Sequence, residues 1–336
     1  MDKIEIYIDE LLEKSTPDRP IWNIEKILQG LKSTWNYIDG CMIKAILEMY
    51  AITKDEKYFR FADNFIDCKV REDGSIEGYS VEELNIDNVN AGKTLFELYD
   101  LTGKEKYRKA IDLVYSQIEQ MPRTAEGNFW HKNIYPNQVW LDGLYMCQPF
   151  YMEYETRFHE KKNYDDIFRQ FFNVVEHMRD PKTGLYYHAY DSSREMFWCD
   201  KVTGLSQNFW LRALGWYSMA LLDTLDKADA SVGEPYERLK KVFVDLMDAM
   251  LKYQDASGMW YQVVNFGGME KNYLETSGSS IMAYALLKGV RLGFLPENYQ
   301  TYGAKAFHGI CEKYLSEDAD GSLHLDGICL VAGLGG

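Results

Sequence analysis

Two kinds of apolar pattern alternate along the chain. Residues 56–66, 105–118, 163–178, 236–250 and 298–314 each read as an amphipathic helix with a tyrosine near its start. In the first two, charges such as Arg60, Asp63 and Asp67, or Lys106, Arg108 and Lys109, recur at helical spacing on one side, so one face meets water. The helices that precede them differ. GCMIKAILEMYAI from Gly40 and SGSSIMAYALLKGV from Ser277 are nearly apolar and rich in small residues, the pattern of a helix packed on all sides. With an initial amphipathic helix at Lys3 to Leu12, the pattern predicts about six outer and six inner helices. Their alternation fits a closed ring of helical hairpins better than an open superhelix, which would leave more inner faces wet. The expectation is therefore all-α, an (α/α)6 toroid or six-hairpin barrel, forming a single domain over residues 1–336.

Short turns punctuate this alternation. EDGSI, AEGNFWH, KTGLYYH, ASGMWYQ and ADGSLHL place glycines at positions 74, 127, 184, 258 and 321, each followed by apolar or aromatic residues. After each turn an inner helix is expected, opening near Asp87, Gln138, Asn208, Thr276 and, cut short, Asp326. The last hairpin therefore reads as incomplete.

Composition removes several functions. At 336 residues and 46% hydrophobic, the chain can bury a sizeable core. A net charge of −15 and a pI near 4.9 argue against a nucleic-acid or anionic-membrane surface. Six cysteines lie far apart with no Cys-x-x-Cys pair, so reduced thiols are expected and neither a zinc cluster nor a disulfide framework is indicated. There is also no His-Glu-x-x-His, and no metal or cofactor is expected. The start, MDKIEIYIDELLEKS, lacks an apolar stretch of signal-peptide or membrane length, which predicts a cytoplasmic protein. Oligomeric state is left open. Aromatic residues make up 15%, which suits either core packing or a site that stacks on a sugar ring.

In a ring of hairpins, the loops at the N-terminal ends of the inner helices share one rim, and chemistry is to be sought there. The segment QVWLDGLYMCQPF sets one carboxylate, Asp142, among Trp140 and Met146, where an unpaired charge is costly. Its alternative role is to sit at a helix start, where the macrodipole welcomes negative charge. Other rim candidates are Trp35, Tyr37, Asp87, Trp130, His131, His188, Trp210, Arg212 and Trp216. Arg212 and Trp216 are four apart and share a helix side, as do Asp142 and Met146.

The segments FWHKNIYPNQVWLDGLYMCQPF, TGLYYHAYD, FWLRALGWY, YLETSGSSIMAYAL and VAGLGG, spread over the whole chain, resemble the unsaturated rhamnogalacturonyl hydrolases of glycoside hydrolase family 105, which are related to the unsaturated glucuronyl hydrolases. The resemblance implies removal of the unsaturated uronic acid left at the non-reducing end of pectin fragments by polysaccharide lyases. The C4=C5 bond makes that sugar an enol ether, so protonation at C4 and attack of water at C5 release the remaining sugar. It further implies that Asp142 is the general acid and base and Asp87 the second active-site carboxylate, with His131 and His188 lining the sugar pocket. A proton donor working near neutral pH needs a raised pKa, expected here from burial by Trp140 and Met146 and from the charge of Asp87, against the helix dipole. Arg212 is the best-placed cation for an anionic sugar in an acidic protein. Tyr37, Trp140, Trp210 and Trp216 are expected to form apolar walls and sugar platforms. Three other readings stay open: an unsaturated glucuronyl hydrolase acting on other lyase products, a non-catalytic oligosaccharide-binding toroid, and a toroidal sugar epimerase using a histidine pair. Members of the family usually continue past the VAGLGG-like segment into a last inner helix, and this chain stops at Gly336.

Overall fold

The structure is a computed structural model that describes residues 3–331 and 333–334. The chain forms two compact units, one running to Pro122 and including Lys132–Ile134, the other made of Arg123–His131 and the chain from Tyr135 onward.

The first unit contains α1 (Lys3–Glu13), α2 (Ile24–Gln29), α3 (Tyr37–Thr53), α4 (Glu56–Asp67), α5 (Lys93–Thr102) and α6 (Glu105–Gln120). Helix α3 packs on its outer partner α4 and on α5, and α5 packs on α6. The chain leading into α3 is fixed by buried Asp39, which accepts hydrogen bonds from Trp22 Nε1 at 2.9 Å, Ser33 Oγ at 2.6 Å and Asn36 Nδ2 at 2.8 Å. The inner helix expected from Asp87 does not start there. Residues Ile86–Gly92 wind as a 3-10 helix, and the α-helix begins at Lys93. The asparagine-rich run NIDNVN at residues 85–90 explains the delay, since Asn85 takes the Asp87 N–H on its side chain and Asn90 Nδ2 donates to the Tyr37 carbonyl. Short amide side chains compete in this way with helical backbone pairing.

The second unit contains β1 (Gln138–Trp140), α7 (Leu141–Phe158), α8 (Tyr164–Met178), β2 (Ala189–Asp191), α9 (Leu211–Lys227), α10 (Glu234–Leu251), α11 (Thr276–Arg291), α12 (Tyr299–Tyr314), β3 (Leu315–Glu317) and β4 (Leu323–Leu325). Inner helix α9 packs against both α7 and α11, while α8, α10 and α12 cover α7, α9 and α11 from outside. Small residues permit the close inner contact: a Cβ on Gly278 of α11 would lie 2.4 Å from Leu211 Cγ of α9. Two inner helices start later than the pattern predicts. Residues 138–140 pair antiparallel with 189–191, so α7 opens at Leu141. Phe209 and Trp210 are held extended by the Val264 N–H to Phe209 carbonyl bond, so α9 opens at Leu211. The short helix expected from Asp326 is absent among the described residues, where β4 pairs with β3 and residues 326–331 are irregular.

The repeated turns are one structure. Glycines 74, 127, 184, 258 and 321 all adopt φ between +78° and +100°, open to glycine without strain. At four of them the same hydrogen bond closes the turn: Arg71 N–H to Ser75, Thr124 to Asn128, Asp255 to Met259 and Asp318 to Ser322 carbonyls, at 2.8–2.9 Å. Asp180 to Leu185, at 2.8 Å, is one residue longer. A further copy of that longer form occurs at Asp200 to Leu205, 2.9 Å, which reading the sequence for a repeat missed.

Candidate active site

Asp142 is the second residue of α7, in the first turn, where β1 delivers the chain. Its side chain is 16% exposed. Strand pairing of Trp140 with Ala189 brings His188, immediately before β2, alongside: the Leu141 N–H donates to the His188 carbonyl at 3.0 Å. His188 Nε2 then lies 3.0 Å from Asp142 Oδ2. The distance is that of an ion pair, but neither atom completes a well-aligned hydrogen bond, so both stay available to a third group.

This pair overturns the expected direction of the Asp142 pKa. Burial does push the carboxyl up and is the largest single influence, but electrostatic attraction from His188, helped by His131, brings it below the ordinary aspartate value. The like charge invoked from Asp87 is itself offset, because Lys132 Nζ lies 2.7 Å from Asp87 Oδ2 within the first unit. Lys132 gave no signal in the sequence, being a single lysine in a loop.

Aromatic rings surround the pair. Trp140 stacks on His131, with centroids 4.6 Å apart and planes within 9°, and on Tyr135 at 5.3 Å and 8°. The Trp140 indole N–H is spent on Gln138 Oε1 at 3.0 Å, which fixes the ring. His188 meets Trp140 edge-on at 5.4 Å and lies tilted against Trp210 at 4.9 Å. The Trp210 N–H is buried without an acceptor in the protein. Met146, one turn along α7 from Asp142, is buried. Trp216, four residues after Arg212, stacks on Tyr145 at 5.1 Å. The ring under the Arg212 guanidinium is Trp210, 4.7 Å away.

Arg212 donates to the Cys329 carbonyl, to Ser277 Oγ and, at 3.4 Å, to the Leu330 carbonyl. Among the described residues no carboxylate lies within ion-pair distance of it, so its charge is solvated by dipoles and remains uncompensated. The segment that supplies those carbonyls is anchored by Glu275, a fully buried carboxylate missed in the sequence, which caps α11 and accepts the Cys329 N–H. Tyr37 and Asp87 belong to the first unit, where Tyr37 is half-buried at the start of α3. No group of three or more His, Cys, Asp or Glu side chains among the described residues could hold a metal ion, and no helix is long and apolar enough to cross a membrane.

A carboxylate and an imidazole in contact, walled by stacked rings and joined by a cation over one of those rings, is equipped to move a proton on an anionic ring-shaped ligand. Comparison with known proteins gives the class. The family model described as Glycosyl Hydrolase Family 88 matches residues 13–336. The chain belongs to that family. It is a glycoside hydrolase. The structure of a glycoside hydrolase of family 105 from C. acetobutylicum ATCC 824 shares 45% identity and superposes with a TM-score of 0.88, covering 98% of this chain and 89% of that one. Unsaturated rhamnogalacturonyl hydrolase YesR from Bacillus subtilis strain 168 is 27% identical over 294 residues, 86% of this chain and 79% of the relative. The unsaturated glucuronyl hydrolase from Bacillus sp. GL1 shares the fold, with a TM-score of 0.65 at 13% identity over 87% of this chain and 78% of that one. The family fold is the all-α (α/α)6 class that the alternation of inner and outer helices predicts.

Proposed function

We propose that this glycoside hydrolase removes the unsaturated uronic acid from the non-reducing end of lyase-generated oligosaccharides, by hydrating the C4=C5 enol ether. The observation that carries the reading is the Asp142–His188 contact inside the aromatic wall. The Asp142 carboxyl gives its proton to C4 as the π electrons form the new C–H bond, leaving a cation shared by C5 and the ring oxygen. Water attacks C5 and loses a proton to the Asp142 carboxylate. The resulting hemiketal opens to a C5 ketone, and the hemiacetal formed at C1 expels the other sugar.

The lowered pKa of Asp142 suits the base half of this chemistry, since an ionised carboxylate is what the attacking water needs. The carboxyl delivers the proton that C4 needs, with His188 Nε2 3.0 Å away as the neighbouring group through which a proton can reach it. Arg212 supplies the cation for the uronate carboxylate, and Trp140, Trp210 and His131 bound the ring, with Met146 and Trp216 as further walls. Asp87, steadied by Lys132, is the second carboxylate that the family resemblance implies. Rhamnogalacturonan fragments are the favoured substrates on the likeness to YesR.

Loss of ultraviolet absorbance from unsaturated disaccharides tests the activity. Reaction in heavy water must then place one deuterium at C4 of the released keto sugar. Hydrolysis that adds water at C1 leaves C4 unlabelled, and that result overturns the scheme.

A further inference from the structure

Between β2 and α9 the chain makes an excursion, residues 192–204, that the acid–base step does not use. Its base is closed by the Asp191 N–H to Gly204 carbonyl bond at 2.8 Å and, just outside, by Ser206 N–H to Ala189 carbonyl at 2.9 Å. Gly204 has φ +79°, and a Cβ there would sit 2.5 Å from the Asp191 carbonyl oxygen. Inside the excursion, Asp191 is fully buried and accepts from Ser193 N–H and Oγ and from the Glu195 and Met196 N–H groups, at 2.7–3.0 Å. Asp200 closes the far end by accepting the Val202 and Thr203 N–H groups, in the same turn that Asp180 makes. Two carboxylates thus hold the loop in one shape.

The shape serves Trp198. Its ring is 7% exposed and packs with Cys199 against Trp140 and Ala189, on the wall that carries His188 and leads into Asp142. Its indole N–H is buried and finds no acceptor in the protein. An orphaned donor of this kind is costly unless a ligand completes it. The neighbouring Phe197 is 70% exposed, a large ring offered to solvent. A donor beside an exposed ring matches a sugar, with oxygens on its edge and an apolar face. Because Asp191 and Asp200 are committed to backbone N–H groups, the buried recognition group left in the excursion is the Trp198 N–H.

We propose that residues 192–204 form the subsite for the leaving sugar, with the Trp198 N–H donating to one of its oxygens and Phe197 covering its apolar face. The proposal rests on the hydrolytic reading above, and names the part of the protein that reads the second ring. Trp198→Phe keeps an aromatic ring and removes only the N–H. The test compares kcat/KM on an unsaturated uronyl disaccharide with that on the methyl glycoside of the same unsaturated uronic acid, which lacks the second ring. The variant should lose about 5- to 10-fold on the disaccharide, the worth of one hydrogen bond, and stay within about twofold on the methyl glycoside; Phe197→Ala should show the same selectivity. Equal losses on both compounds, or none on either, overturn the subsite while leaving the hydrolytic reading intact. Wild-type enzyme that leaves both double bonds intact refutes both.

Discussion

Replacing Glu275 should cost stability and substrate affinity together, because its carboxylate ties the N-terminus of α11 to the segment that holds Arg212. Oε1 accepts the Ser277 N–H at 3.0 Å, Ser277 Oγ at 2.7 Å and the Cys329 N–H at 3.0 Å, and Oε2 accepts the Gly278 N–H at 2.7 Å. Glu275→Ala strips three backbone N–H groups of their acceptor at a fully buried position, whereas the Ser277 hydroxyl can turn elsewhere. Buried orphan donors cost roughly 1–3 kcal/mol each, and water entering the vacated space offsets part of that. The expected loss is about 3–5 kcal/mol, among the larger effects of single substitutions. Glu275→Gln preserves the shape but keeps only one good acceptor, so about 1–3 kcal/mol is expected. The functional part follows from the chain of contacts, since the Cys329 carbonyl is an anchor of the Arg212 guanidinium. Folded Glu275→Gln should raise KM for an unsaturated uronide about 5- to 30-fold with little change in kcat, the signature of lost uniform binding. Urea unfolding followed through the second unit and steady-state kinetics well below the transition measure the two parts. A Glu275→Ala loss below about 1 kcal/mol refutes the hydrogen-bond argument, and unchanged KM in a destabilised Gln variant refutes the link to Arg212.

Asp142→Asn should fold, bind substrate and lose roughly 10²- to 10⁴-fold in kcat; near-normal turnover removes Asp142 from catalysis. The same variant has a stability signature: a carboxyl whose folded pKa is depressed contributes stability that is present above its unfolded value, about 3.9, and is lost as pH falls through the folded value. The stability gap between wild type and variant should therefore narrow below about pH 4, and a gap that widens on acidification reverses the assigned direction. Arg212→Met should weaken binding of the unsaturated uronide more than that of its methyl ester, and equal losses return Arg212 to a purely structural role. His188→Gln should move the Asp142 carboxyl titration, followed by NMR, to higher pH, because the neighbour that lowers it is gone; an unmoved titration excludes His188 as the cause.

The helices were legible because their signal is periodic. The small apolar inner helices and charged outer ones follow directly from which faces meet water, and the turn glycines from the need for positive φ. What failed was decided by contacts distant in sequence. Strand pairing at Gln138–Trp140 and the Val264 bond to Phe209 delay α7 and α9, and nothing local to 138 or 208 encodes a partner near 190 or 264. The local exception is Ile86–Gly92, where the asparagines were visible but their preference for side-chain pairing was not weighed. At the site, Asp142 was visible as a carboxylate out of place among aromatic residues, while His188 and Trp210 followed from their position on the rim of the ring and from the family resemblance. Lys132 and Glu275 were not visible, because a lysine in a loop and a glutamate before a helix are ordinary there until the structure shows what they bind.

The lowered pKa of Asp142 bears directly on the chemistry. Burial among aromatic rings would make a carboxyl a standing acid, but it would also leave it a poor base for the water that follows. An imidazole 3.0 Å away lowers that pKa and sets a second group able to carry a proton beside the carboxylate. The carboxylate can then be ionised at rest, as its lowered pKa requires, and still have a proton within reach when an anionic enol ether arrives. In the proposed reaction, once C4 is protonated the same carboxylate is free to receive the proton of the attacking water, with His188 3.0 Å away. The flanking rings serve this exchange by keeping the pair apolar on its sides, so that the proton's position answers to the charge of the substrate and less to bulk solvent. A hydration reaction, which needs an acid and then a base at one face of one ring, is therefore better matched by this carboxylate–imidazole contact than by a carboxyl whose pKa is raised by burial alone.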